Sequence, residues 1–412
     1  MIKKLPELLA PAGAMPQLEA ALRFGADAVY GGLRRYGLRA FAGNFSTEEL
    51  QRAVALCHSK NKKFYVTMNA YPFDEDMPGF VAAARASKKI GVDAAIVSDL
   101  GAIAILREQV PELPLHISTQ ANTLNTAAAE VYGKMGAARV IVAREMSIKQ
   151  IAAMRENLPP TLELEAFCHG AACMAHSGRC LLSNALTGRG GNQGACAQPC
   201  RWQYAVVEKK RPGEYLPVSE DLNGTYIFSA QDLNLIELLP ALVESGLASL
   251  KIEGRMKTEY YVATVVSAYR RGLDLLLESP EAFQRELPTL KKELEKASHR
   301  QSNTGFAEAK PEMGGGAEGF FQSMEYVARV EEAASAGNPA KVLLKNRFYA
   351  GDALEVLTPN GVFPYTPEAL VLLETGERLN THGIAGTLIE LTFPFDVQSG
   401  DFVRGPVRNH RK

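Results

Sequence analysis

The chain has 412 residues, of which 46% are hydrophobic and 8% aromatic, so it can bury a large core in one large and one smaller domain, or in two domains. Its net charge of −1 provides no overall attraction toward nucleic acid, so such a partner would need a local basic surface. No apolar run is long enough for a membrane helix and the N-terminus lacks the apolar segment of a signal peptide, so we expect a cytoplasmic protein without structural disulfides.

Short β-rich apolar runs alternate with helical stretches over the first 275 residues. Eight runs are predicted as strands: 7–13, 28–32, 63–69, 94–99, 115–122, 139–145, 162–170 and 249–255. Eight βα units predict a (β/α)8 TIM-like barrel, with a doubly wound open sheet as the alternative. Function gathers at the carboxyl ends of barrel strands. Those ends carry polar residues here: Asn69, Asp99, Gln120, Asn122, Arg144, Glu145, His169, Glu253 and Arg255.

Local signals mark several helices and the limits of the barrel. Ser46 and Glu49 form the pattern of a capping box, and Gly91 is placed to end a helix. The connection between the seventh and eighth strands is too long for one βα unit, so we predict a cysteine-rich insertion at about 171–225. The strand-like FSAQD after it leaves the strand count open by one.

The domain organisation follows from a change in composition near residue 300. A long helix pair is predicted over 258–299, and a Gly-rich connection follows it. We assign residues 1–300 to the barrel with its insertion and 301–324 to a linker. Short strands separated by Gly, Asn and Asp turns then predict a small β-barrel or β-sandwich domain over 325–412.

Four of the six cysteines lie in the insertion, with the spacing C-x6-C-x15-C-x3-C. These are Cys173, Cys180, Cys196 and Cys200. Soft thiolates bind zinc, copper(I) or iron–sulfur clusters. Structural zinc usually shows two closely spaced cysteine pairs, whereas a [4Fe-4S] cluster takes four cysteines in glycine-rich surroundings. The spacing favours the cluster and leaves zinc open.

The two remaining cysteines have different predicted roles. Cys57 lies in a helical pattern and is interpreted as a buried core thiol. Cys168 ends a strand beside His169, and this pair is the one protease-like arrangement in the sequence. Because strand neighbours point to opposite faces, we expect only one of the two to face the site.

The segment EAFCHGAACMAHSGRCLLSNALTGRGGNQGACAQPCRW, residues 165–202, resembles the collagenase-like peptidase family of unassigned catalytic type. The resemblance extends over nearly the whole chain, through ELLAPAG, GADAVYGG, GLRAFAGNF, HISTQAN, SAQDL, SLKIEGRMK and NRFYAGDALEVL. Within the family, the chain is similar to the branch that uses prephenate to hydroxylate the wobble uridine of tRNA. Sister branches act on ribosomal RNA or ubiquinone precursors.

The resemblance implies a [4Fe-4S] cluster on the four clustered cysteines, prephenate as cosubstrate and tRNA as partner. It leaves open whether a related partner subunit is required. Arg144 and Arg255, at strand ends, are candidate clamps for a carboxylate, with a salt bridge to Glu145 or Glu253 as the alternative for each. Gln120, Asn122 and His169 are candidate catalytic residues that orient substrate or shuttle protons.

Basic residues provide candidate contacts with tRNA phosphates, although a solvated basic face explains their charge equally well. Arg189 and Arg201 lie in the insertion, and Arg404 and Arg408 lie near the C-terminus. The sequence therefore predicts an RNA hydroxylase. A peptidase using Cys168 or a metal-bound water, and a non-catalytic iron–sulfur scaffold, remain alternatives, although the HExxH and GxSxG motifs of hydrolases are missing.

Overall fold

The structure is a computed structural model that describes residues 5–37, 43–171, 182–189, 196–197, 199, 219–221, 224–226, 231–308 and 320–408. Twelve of its strands lie before residue 310: β1 (Glu7–Pro11), β2 (Ala28–Gly32), β3 (Lys63–Met68), β4 (Ala94–Val97), β5 (Leu115–Ile117), β6 (Arg139–Ile141), β7 (Glu163–Ala171), β8 (Ser219–Asp221), β9 (Gly224–Tyr226), β10 (Asp232–Asn234), β11 (Ser249–Ile252) and β12 (Ser302–Asn303).

Strands β1 to β7 and β11 form a closed parallel barrel. Each of β1 to β6 pairs in parallel with the strand that follows it, and β11 pairs in parallel with both β1 and β7. The eight-stranded barrel is therefore confirmed, and the open-sheet alternative is wrong because no edge remains between β1 and β7. The FSAQD segment leads into β10, which pairs antiparallel with the end of β7 instead of entering the barrel.

Helices connect and cover the barrel strands. They are α1 (Met15–Arg23), α2 (Thr47–Ser59), α3 (Met77–Ile90), α4 (Leu100–Gln109), α5 (Thr126–Lys134), α6 (Ile148–Glu156), α7 (Leu182–Thr187), α8 (Leu239–Glu244), α9 (Glu259–Glu278) and α10 (Pro280–Leu294). Ser46 and Glu49 form both bonds of the capping box of α2, and Gly91 ends α3 with a φ of 100°. None of the helices in the described ranges combines the length and apolar character needed to cross a bilayer.

Alternating residues divide the barrel into an inner and an outer core. Leu9, Tyr30, Tyr65 and Ile96 belong to a small buried cluster inside the barrel. The residues between them along each strand join a larger cluster with the helices, and this cluster includes the buried Cys57. A barrel of this size is filled by its own side chains, so we expect a ligand site at the carboxyl ends of the strands, which we call the mouth.

Ten strands follow the barrel: β13 (Met324–Val330), β14 (Pro339–Leu344), β15 (Phe348–Tyr349), β16 (Leu354–Thr358), β17 (Gly361–Tyr365), β18 (Leu370–Leu372), β19 (Arg378–Leu379), β20 (Thr381–His382), β21 (Leu388–Thr392) and β22 (Phe402–Pro406). Eight of them form one antiparallel sheet whose order runs from β17 to β19. These two edge strands do not pair with each other in the described part of the chain. The C-terminal domain is thus an antiparallel sheet, and the finer prediction of a closed barrel is not supported.

Buried ion pairs join this sheet to the barrel. Arg404 on β22 is fully buried. It donates to Glu293 on α10 at 2.9 Å and to Glu355 on β16 at 2.9 Å. The prediction that Arg404 belongs to an exposed phosphate-binding face is therefore wrong, because its buried guanidinium forms ion pairs with Glu293 and Glu355.

Candidate functional site

A cluster of polar side chains forms where β3, β4 and β5 end, and Gln120 is at its centre. The side-chain oxygen Oε1 of Gln120 accepts from Asn69 Nδ2 at 2.7 Å, from Ser98 Oγ at 3.3 Å and from Ser118 Oγ at 3.4 Å. The Tyr71 hydroxyl donates to the main-chain oxygen of Gln120 at 2.8 Å. These bonds fix both the backbone and the amide plane of this residue.

The chain leaves β5 earlier than the sequence pattern predicts. Ser118 accepts a bond from the Gln120 amide and starts a short 3-10 turn, Thr119–Ala121. Asn122 ends the turn with a φ of 57°, a left-handed conformation that asparagine tolerates. Its side-chain oxygen is buried and has no hydrogen bond to any residue within the described ranges. Gln120 and Asn122 thus lie together in a turn at the mouth.

Arg255 reaches across the mouth from the end of β11. Its Nη1 donates to Thr67 Oγ1 on β3 at 3.0 Å, and the residue is 5% exposed. The path needs a glycine at position 32, because a Cβ there would lie 2.4 Å from Arg255 Nη1. Because Gly32 has no side chain, the buried guanidinium of Arg255 has room beside the barrel mouth.

Arg144 follows β6, and its guanidinium is held by protein groups. Its Cζ lies 3.9 Å from the centre of the Phe167 ring, and its Nη1 donates to the main-chain oxygen of Ala171 at 2.6 Å. Its Nη2 lies 3.8 Å from Glu253 Oε2. The structure therefore shows the salt bridge to Glu253 that was the alternative to a carboxylate clamp.

Cys168 and His169 both pack toward the helices. A register shift between β7 and β11 pairs Lys251 with Phe167 and Ile252 with His169, so Cys168 is an extra residue. Cys168 lies in the outer core, while the His169 ring lies 5.5 Å from that of Tyr269 on α9. The expectation that one of the two faces the mouth and the other faces away is wrong, because a bulge breaks the alternation of faces.

Burial determines the protonation states of the Cys168 thiol and the His169 imidazole. It lowers the pKa of His169 to about 4, so the imidazole is neutral at pH 7. Burial also raises the pKa of the Cys168 thiol far above its usual range. Neither residue contacts the Gln120 cluster, so the structure separates His169 from Gln120 and Asn122.

The predicted metal ligands lie mostly outside the described residues. Cys173, Cys180 and Cys200 do so, while Cys196 is half-buried. Arg201 also lies outside, and Arg189 is exposed just after α7. Where the structure describes the chain, no group of three or more His, Cys, Asp or Glu residues is placed to hold a metal ion.

Sequence reasoning named Asn69 but missed three other residues that position Gln120. Ser98 and Ser118 each come directly after a buried strand, and Tyr71 follows the end of β3 by a few residues. Small hydroxyl residues at the carboxyl ends of neighbouring parallel strands are a signal for a polar site. That signal was present but less obvious than the charged residues nearby.

Two protein-family models match this chain. The model of peptidase family U32 matches residues 13–315, and the model of the peptidase family U32 C-terminal domain matches residues 322–404. A solved structure of a U32 peptidase is 15% identical, with a TM-score of 0.40, and the match covers 61% of this chain and 93% of that chain.

Curated relatives have two kinds of name. "tRNA hydroxylation protein P" of Escherichia coli is 35% identical over 97% of this chain and 99% of its own, and "tRNA hydroxylation protein P1" of Bacillus subtilis is 40% identical over 76% and 73%. A protein named "Collagenase" from Porphyromonas gingivalis is 35% identical over 65% of both chains. From the two domain matches and the extent of these similarities, the chain belongs to peptidase family U32.

Proposed function

We propose that this protein is a tRNA-modifying enzyme that hydroxylates the wobble uridine at C5 of the base, with prephenate as cosubstrate. The observation that carries the proposal is the similarity to "tRNA hydroxylation protein P", which extends over 97% of the chain and includes both domains. The polar barrel mouth supports an enzymatic role, because packing of the fold does not require the Gln120 cluster.

In this proposal the small cosubstrate binds at the barrel mouth. Prephenate carries two carboxylates, and arginine binds carboxylates through paired N–H groups. Arg255 is buried beside the mouth and donates to the Thr67 hydroxyl, whereas Arg144 packs on Phe167, donates to Ala171 and faces the Glu253 carboxylate. Because Arg144 already faces the Glu253 carboxylate, we assign the principal carboxylate contact to Arg255.

We infer that Cys173, Cys180, Cys196 and Cys200 hold a [4Fe-4S] cluster. The donor set fits this group, since it consists of four thiols in a glycine-rich segment. When bound, such a cluster supplies electron transfer. The chain's own residues at the mouth bind and orient the two substrates, and Arg189 and Arg201 of the insertion contact tRNA phosphates.

The peptidase alternative has weaker support in these residues. A cysteine nucleophile acts as the thiolate and needs access to substrate. Cys168 is fully buried on the helix side of β7 and its raised pKa keeps it protonated. A peptidase built on Cys168 would therefore need a different arrangement of this strand.

Nucleoside analysis tests the proposed function. Anaerobically purified protein, incubated with prephenate and tRNA from a strain lacking the gene, should produce 5-hydroxyuridine detectable by mass spectrometry. The same preparation should leave casein and denatured collagen intact. The variant Cys168→Ala should retain hydroxylation. Unmodified tRNA together with Cys168-dependent cleavage of either protein would reject the proposal in favour of a peptidase.

A further inference from the structure

Resting on the proposed function, we infer that Gln120 is a fixed hydrogen-bond donor that binds a carbonyl oxygen of the molecule held at the barrel mouth. The residue lies on the active face of the barrel, in the turn after β5. A glutamine amide does not titrate, so its role is to bind and orient a ligand and not to transfer a proton.

The amide oxygen of Gln120 faces three protein groups, of which Asn69 makes the short bond, and Ser98 shares its proton with the main-chain oxygen of Asn69. Asn69 Nδ2, Ser98 Oγ and Ser118 Oγ lie 2.7, 3.3 and 3.4 Å from Oε1. These three groups come from the ends of three neighbouring barrel strands. They hold Oε1 against the protein, and the planar amide then directs its nitrogen to the other side.

The amide nitrogen of Gln120 is available to a ligand. Across the part of the chain that the structure describes, Nε2 makes no hydrogen bond, although the residue is only 5% exposed. Nε2 itself is not fully buried, so it reaches solvent. Nearly buried polar groups are normally paired, so a donor left open while its amide oxygen is held by Asn69 points to a ligand.

The acceptor that we propose for Gln120 Nε2 is a carbonyl oxygen. Both substrates of the proposed reaction have one, because uracil carries carbonyls at C2 and C4 and prephenate carries a keto group. A site that donates to a carbonyl rejects a ligand that presents a donor in its place, since two donors leave buried polar groups unsatisfied. Gln120 therefore contributes specificity as well as affinity.

The variant Gln120→Glu tests this role. It keeps the length of the side chain and an oxygen for Asn69, but it replaces the donor with an acceptor. Gln150→Glu is the matched control, because Gln150 serves as an exposed capping-box residue of α6 and Glu is equally suited there. Binding of prephenate is measured by calorimetry, and binding of unmodified tRNA by filter retention, for the wild type and both variants.

We expect Gln120→Glu to lose about 10- to 100-fold in affinity for the ligand that supplies the carbonyl, while Gln150→Glu behaves as wild type. A loss for prephenate identifies the keto group as the acceptor, and a loss for tRNA identifies the base. In the second case the variant should bind tRNA with cytidine at the wobble position better than wild type does, because cytosine presents an amino group. Unchanged affinity for both ligands would overturn the inference.

Two controls separate the role of Gln120 from misfolding of the variant and from failure of the proposed function. If Gln120→Glu does not fold, Gln120→Met, which keeps the shape without the amide, takes its place in the same measurements. Hydroxyuridine formation by the wild type is recorded independently. Its absence would reject the proposed function, whereas the role of Gln120 is decided by the ratio of variant to wild-type affinities.

Discussion

Glu165 Oε1 lies 3.0 Å from Lys251 Nζ inside the barrel, and the other carboxylate oxygen of Glu165 lies 2.9 Å from Arg139. Glu165 is fully buried and is thus the shared counter-ion of two buried cations. Although burial acts to raise the pKa of Glu165, Lys251 and Arg139 lower it below its usual value. Removing Glu165 takes the paired carboxylate from Lys251, whereas Arg139 keeps its ion pairs with Glu7 and Glu163.

We expect Glu165→Gln to lower the free energy of unfolding by about 3–5 kcal/mol, the cost of breaking a buried ion pair. Lys251→Met should cost less, because Glu165 keeps Arg139. Urea denaturation of both variants at pH 7 provides the comparison. Equal losses would show that the two cations do not share Glu165.

Iron content tests the four proposed cluster ligands. Alanine at Cys173, Cys180, Cys196 or Cys200 should lower the iron per chain and the broad absorption near roughly 400 nm. Cys57→Ala is the control, because Cys57 is buried in the outer core and should affect only stability, by about 1 kcal/mol. Full iron retention in two of the four variants, or one zinc per colourless chain, would contradict the assignment.

The two mouth arginines should respond differently to lysine. Arg255→Lys should weaken prephenate binding by about tenfold, since lysine keeps the charge and loses the paired N–H geometry. Arg144→Lys should affect stability more than binding, because its guanidinium packs on Phe167 and bonds Ala171. Calorimetric titration and thermal melting of both variants separate these effects. The opposite pattern would assign the carboxylate to Arg144.

The buried imidazole of His169 should make the protein less stable in mild acid. The pKa is about 4 in the folded protein and about 6.5 in an unfolded chain, so the unfolded state binds more protons between these values. Stability therefore falls as the pH falls through this window, by about 2 kcal/mol from pH 7 to pH 5. His116 acts in the same direction, because burial also lowers its pKa.

The variant His169→Gln isolates that contribution. Its free energy of unfolding, measured in urea at pH 7 and pH 5, should fall less than that of the wild type. Parallel losses in the two proteins would assign the acid sensitivity to other groups.

The basic residues of the insertion should affect tRNA binding alone. Arg189→Ala and Arg201→Ala are expected to weaken tRNA binding and to reduce its dependence on salt, because each lost phosphate contact removes released counterions. Arg271→Ala is a suitable control, since Arg271 is exposed on α9. Titrations at several salt concentrations provide the slopes, and prephenate binding should remain as in the wild type. An unchanged slope would exclude both arginines from the RNA surface.

The barrel could be predicted from sequence because its signal is periodic. Each predicted run overlaps one barrel strand, from β1 to β11, since buried parallel strands need continuous apolar residues. The positions of Cys168 and His169 could not be predicted, because the bulge depends on pairing with β11, which lies about eighty residues away in the sequence. The burial of Arg404 likewise depends on Glu293 and Glu355, which only the tertiary fold brings together.

The Arg404 contacts also determine how the two domains behave together. Breaking them would expose a fully buried guanidinium that two carboxylates hold, and Arg23 with Asp401 adds a second ion pair between α1 and the sheet. These ion pairs therefore oppose changes in the separation and orientation of the sheet and the barrel. Because of this preorganisation, a ligand that touches both domains would lose less free energy to ordering them. Such a ligand would bind well only if the distance between its two contacting groups matched the distance between the two domain surfaces.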